Sequence, residues 1–186
     1  MTTVDSPAAS GIAPALRRLY FVRFGFALVW AVLLFVTSQT HLGPIGVVLV
    51  VLYPLFDVAA AVVDARSSRA TGPAKGLYVN IVISLLAGVG LGIASASGVP
   101  AVLRIWGAWA IVSGLVQLIV AVARRKMGGQ WPMILSGGIS VLAGGSFIAG
   151  AGAPNPALTN VAGYAVLGGV FFLVSAIRLG RAAQGN

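Results

Sequence analysis

Arg23, Asp57, Asn80 and Gln117 are the side chains of this sequence best suited to chemistry, because each is a strongly polar group set inside a long apolar run. Asp57 stands in "VLYPLFDVAAAVVDAR" with no cation within a helical turn on either side. In an apolar medium an ionised carboxylate must find a cation or hydrogen-bond donors, or give up its charge. Such a group serves one of two ends: an internal ion pair that fixes how helices meet, or part of a path for a proton or small solute. Pro54, one turn before Asp57, has no N–H to donate to Val50 O. It therefore leaves a backbone acceptor free near the carboxylate, as at a helix kink.

The rest of the reactive inventory is thin. Three Asp, no Glu, no Cys and one His give almost no raw material for paired carboxylates, thiolate nucleophiles or a ligated metal. No glycine-rich phosphate loop opens a soluble helix. Neither an enzyme nor a cofactor nor a metal site is expected. His41 titrates in the physiological range and sits in a short polar loop, where a solvated histidine is the ordinary case and pH sensing the special one.

The elements that must position these groups follow from composition. Of 186 residues, 59% are apolar and 8% charged, and mean hydropathy is +1.00. A soluble surface needs about a quarter of all residues charged, so lipid is the expected solvent. A helix crosses ~30 Å of hydrocarbon with about 20 residues, and that length places six spans near 19–38, 43–63, 76–96, 99–122, 130–150 and 157–177. Strand alternation is absent, so the expected fold is an all-α integral membrane bundle of six helices. Pro44, Pro100, Pro132 and Pro156 fall at span starts, where a missing N–H costs little. Residues 1–16 read as a disordered tail, 17–181 as the membrane domain and 182–186 as a second short tail.

Net charge is +9, a balance that raises nucleic acid as a partner. Its distribution answers otherwise. Arg17, Arg18, Arg66, Arg69, Lys75, Arg124, Arg125, Lys126, Arg178 and Arg181 all fall at one set of span ends, while the loops "SQTHLGP", "SASGVP" and "AGAPNPA" carry no Lys or Arg. By the positive-inside rule both termini are cytoplasmic. The expected location is a bacterial inner membrane, with anionic lipid headgroups as partners at the cytoplasmic rim; Arg-rich, Ala-, Gly- and Val-rich usage suits a GC-rich genome. No nucleic-acid partner is expected, and a homo-oligomer is left open.

"ISLLAGVG" and "ISVLAGGS" recur in the third and fifth spans, which suggests three helical hairpins in the same orientation. At 100° per residue, Asp57 shares a stripe with Gly46, Val50, Tyr53, Ala61 and Asp64; Arg23 with Ala27, Trp30 and Leu34; Asn80 with Ser84, Ala87 and Leu91; and Gln117 with Trp106, Trp109 and Ser113. All four polar groups lie in the cytoplasmic half. Depth then matches Arg23 to Asp57, with Asn80 or Gln117 adding hydrogen bonds. Arg104, on a face away from Gln117, is expected to snorkel to outer headgroups, and Asp64 to pair at the interface with Arg66 or Arg69. Tyr20, Tyr78 and Trp131 suit the cytoplasmic aromatic belt, and Trp106 and Trp109 the outer one. Gly88 and Gly92 form a GxxxG spacing that 25 glycines make ordinary.

"RIWGAWAIVSGLVQLIVAVARR" (Arg104–Arg125) followed by "QWPMILSGGISVLAGGSFI" (Gln130–Ile148) resembles the HdeD family of small bacterial inner-membrane proteins. The resemblance rests on glycine-rich helix motifs and a G-x-x-Q-L type run. It implies a six-helix membrane protein, some of whose relatives are linked to acid or envelope stress. Two functions are therefore expected to compete: a non-catalytic stress or envelope protein, and a small transporter or channel lined by Asp57, Arg23, Asn80 and Gln117.

Overall fold

The structure is a computed structural model that describes residues 7–37, 41–67, 75–123 and 131–182. They form six helices: α1 (Pro7–Thr37), α2 (Pro44–Ser67), α3 (Lys75–Ser95), α4 (Val99–Ala123), α5 (Trp131–Gly150) and α6 (Thr159–Ala182). Among the described residues there is no strand. Five helices are long and apolar enough to cross a membrane, and the fifth in order, α5, is apolar over the shorter stretch Ile134–Gly150. The protein is a multi-pass membrane helical bundle.

Local chemistry explains most of the boundaries. Pro44 opens α2, Pro100 is the second residue of α4 and Pro132 the second of α5, positions whose N–H has no intrahelical partner in any case. After α3 the chain turns through Gly98, whose φ of +82° suits glycine, and Val102 N–H donates to Gly98 O at 3.2 Å as α4 begins. Two expectations shift. Helix α1 starts at Pro7, well before residue 17, because "PAASGIAPAL" is rich in helix-forming Ala and places a proline at the first position; the expected tail is therefore helical from Pro7. Pro156 lies ahead of α6, whose first turn is instead capped by Leu158 O accepting from Val161 and Ala162 N–H. The stretches around Arg69, Arg124, Arg125 and Lys126 and the tail from 183 onward lie outside the described residues.

The hairpins close into a ring. The most extensive packing joins one hairpin to the next, α2 on α3, α4 on α5 and α6 back on α1, whereas within the hairpins α5 and α6 touch least. In lipid there is no hydrophobic gain from bringing helices together, so close approach and van der Waals contact must hold them. At α4·α5 four glycines supply it. A Cβ on Gly107 would lie 2.5 Å from Gly144 O, and one on Gly114 would lie 2.8 Å from Gly137 O. The pairs are seven residues apart on each helix, a spacing that keeps them on one seam. Gly88 also packs closely, on Leu55 and Pro54 of α2.

The two halves of the bundle differ. Arg17 of α1 lies against Gly180 of α6, which puts the start of α1 and the end of α6 at one end, here the terminal end. The buried apolar core gathers at the opposite, loop end: Leu34, Leu49, Val50, Leu91, Val102, Trp106, Phe147, Leu158 and Val161. Outward faces stay apolar, with Val36, Ile93 and Leu142 more than two-thirds exposed, as a lipid-facing surface requires and a soluble one does not tolerate.

Candidate functional site

Asp57 projects from the middle of α2 into the half of the bundle nearer the terminal end. Both oxygens of its carboxylate are engaged. Arg23 Nη2 of α1 donates to Oδ1; Asn80 Nδ2 and Ser84 Oγ of α3 donate to Oδ2 at 2.7 and 2.9 Å. Ser84, completely buried, accepts in turn from Trp109 Nε1 of α4 at 3.2 Å. One carboxylate thus ties α1, α2, α3 and, through Ser84, α4. The Arg23 guanidinium also lies 4.3 Å from the Phe172 ring centroid, which brings in α6 by a cation–π contact.

The arrangement follows from helix periodicity. Asn80 and Ser84 are four apart on α3 and reach the same oxygen. Side-chain exposures of 15% for Arg23 and 13% for Asp57 show that the pair is largely out of reach of solvent or lipid. Low dielectric strengthens each bond and makes an incomplete set costly. Beside the pair, Arg23, Phe26, Tyr53, Phe56, Asp57 and Phe172 line a cavity of about 10 Å³, room for about one water molecule.

Above this network lies an aromatic plug. Trp30 stacks on Trp106 with centroids 5.3 Å apart, and Tyr53 and Trp109 pack edgewise or tilted on them. Trp30 Nε1 donates to Leu49 O at 2.7 Å, one residue before the carbonyl that Pro54 leaves without its usual donor. Helix α2 runs through Pro54, which is buried. Trp106 Nε1 is the buried side-chain polar atom without a partner among the described residues.

Of the residues expected at the site, Arg23, Asp57 and Asn80 come together as paired. Gln117 is half-buried on α4. Arg104 is exposed near the loop end of α4. His41 is exposed and lines an open cavity of about 330 Å³ with Val99, Pro100, Asn155 and Pro156. Tyr78 and Trp131 are exposed, and Tyr20 is half-buried against Phe172. Two residues need correction: Trp106 is fully buried in the core, and Trp109 bonds Ser84 rather than facing an outer interface. Ser84 itself went unassigned, although its spacing from Asn80 was the available signal.

Most other hydroxyls are spent locally. Ser95, Ser113, Ser140 and Ser175 donate to backbone oxygens one turn earlier, and Ser140 additionally meets Tyr164 Oη across α5 and α6 at 2.8 Å. Among the described residues no three His, Asp, Glu or Cys side chains converge as metal ligands would.

Known proteins offer no match. Neither a family model, nor a curated protein, nor a solved structure matches the chain. The chemistry of the site therefore stands on its geometry: a carboxylate neutralised in place by a guanidinium on one oxygen, with two further donors on the other, is held in position from two other helices.

Proposed function

We propose that the chain is a non-catalytic multi-pass protein of a bacterial inner membrane, of the HdeD type, serving acid or envelope stress through contacts with lipids or partner proteins. In this reading the Asp57 cluster is an internal clasp between helices. The single observation that carries it is the engagement of Asp57: both oxygens are bonded from two other helices, and the adjoining space holds about 10 Å³. A permeating solute has nothing there to replace. The glycine-rich likeness to HdeD proteins supports the family, and the one-sided Lys and Arg distribution supports termini in the cytoplasm.

A second reading has one observation in its favour. The polar cluster lies in the terminal half and the apolar plug of Trp30, Trp106, Leu34 and Leu158 fills the other, the asymmetry of a transporter closed on its loop side. The experiment that separates the two is proton and ion flux in proteoliposomes containing wild-type or Asp57→Asn protein. The clasp reading expects no flux above protein-free vesicles from either, and a lower unfolding temperature for the variant. Flux that wild-type protein supports and a folded Asp57→Asn variant abolishes establishes transport.

A further inference from the structure

The terminal end of the α1·α6 contact gathers positive charge that no ion pair among the described residues balances. Gly180 is buried against α1, and a Cβ there would come within 2.9 Å of Arg17 Cζ and Nε and 3.1 Å of Nη2. The absence of a side chain at Gly180 is thus what lets the Arg17 guanidinium lie on the α6 backbone, one residue from Arg181. Arg17 also passes 5.6 Å from the Phe21 ring centroid. Arg17, Arg18 and Arg181 are all exposed.

Like charges gathered at one helix contact repel, and the partial negative charge at the C-terminus of α6 offsets part of one. Among the described residues no carboxylate forms an ion pair with the remainder. The chain has three acidic residues: Asp57 is engaged by Arg23, Asp64 stands on α2, and Asp5 lies outside the described residues. Neither Arg17 nor Arg181 takes part in an ion pair among the described residues.

We infer that this corner binds the phosphate of an anionic phospholipid, with Arg17 and Arg181 as its principal contacts and Arg18 beside them. Guanidinium planes match phosphate oxygens bidentately. The depth also fits: the apolar spans Pro14–Thr37 and Thr159–Arg181 begin and end here, the level of headgroups rather than of hydrocarbon. Lipid is favoured over a free phosphate because the same two helices continue inward with exposed Phe21, Val174 and Ile177, a surface for acyl chains. The inference rests on the lipid-contacting reading above and deepens it by naming the site.

Native mass spectrometry of the detergent-solubilised full chain, titrated with phosphatidylglycerol or phosphatidylcholine, tests it. Wild type is expected to prefer phosphatidylglycerol. Arg17→Gln with Arg181→Gln is expected to weaken that binding roughly 30-fold, from two well-placed arginines. Gly180→Ala, which keeps every charge but displaces Arg17, is expected to weaken it as well. Arg66→Gln with Lys75→Gln, which removes equal charge from exposed positions on α2 and α3, is expected to leave it within about threefold, since those side chains stand on other helices and screening limits their reach.

Equal loss in the two double variants overturns the discrete site and leaves general lipid contact standing. No preference of wild type for phosphatidylglycerol overturns both. Displacement of the lipid by millimolar inorganic phosphate overturns the assignment to lipid.

Discussion

Arg23 of α1 and Asp57 of α2 form an ion pair across a separation of 34 residues in sequence, and the oxygen that Arg23 does not contact is taken by Asn80 and Ser84 of a third helix. The carboxylate is a junction of helices. Its donors come from Arg23, Asn80 and Ser84.

Ser84→Ala removes a donor from Asp57 and at the same time strips Trp109 Nε1 of its acceptor. A buried donor left without a partner costs about 1–3 kcal/mol. The variant is expected to unfold at a lower denaturant concentration than wild type, whereas Ser113→Ala, whose hydroxyl bonds only its own helix backbone, is expected to change stability by less than about 0.5 kcal/mol. Equilibrium unfolding in detergent checks both.

Gly107→Ala sets a methyl group 2.5 Å from Gly144 O on α5, where backbone rather than a flexible side chain must yield. Overpacking of this kind costs about 1–3 kcal/mol. Gly145→Ala meets nothing within 4 Å and is expected to be neutral or slightly stabilising, since Ala favours helix over Gly. Thermal unfolding of the two variants side by side distinguishes them.

These two cases mark what was legible in the sequence. Apolar run length located the six helices because lipid imposes a fixed thickness, and matching depth paired Arg23 with Asp57 because an intramembrane charge has few partners. Rotation about the helix axis was harder to read. Trp106 and Trp109 looked like interface residues from their depth alone, yet they share a face with Ser113 and Gln117, which pointed inward. The Gly107–Gly114 and Gly137–Gly144 spacings were hidden among 25 glycines, because hydropathy does not distinguish a glycine at a helix seam from one facing lipid.

Trp30→Phe keeps an aromatic ring against Trp106 but leaves Leu49 O without its indole donor. Loss of a buried hydrogen bond together with part of the ring volume is expected to cost about 2 kcal/mol, measured as a shift in the unfolding midpoint at unchanged slope.

The absence of cysteine makes topology directly testable. Single substitutions Ser97→Cys and Ala153→Cys, exposed in the loops after α3 and α5, are expected to react with a membrane-impermeant maleimide in intact cells. Arg66→Cys, at the other end of α2, is expected to react only after the membrane is opened.

A double-mutant cycle on Arg23→Met and Asp57→Leu, read as unfolding free energy in lipid-containing micelles, tests the clasp most directly. Each single variant leaves one largely buried charge unpaired and is expected to lose about 3 kcal/mol, while the double variant loses clearly less than the sum and keeps the cost of Asn80 and Ser84, whose acceptor Asp57→Leu removes. Additive losses, with the double variant as unstable as the sum of the two, contradict an account in which these side chains hold each other in place.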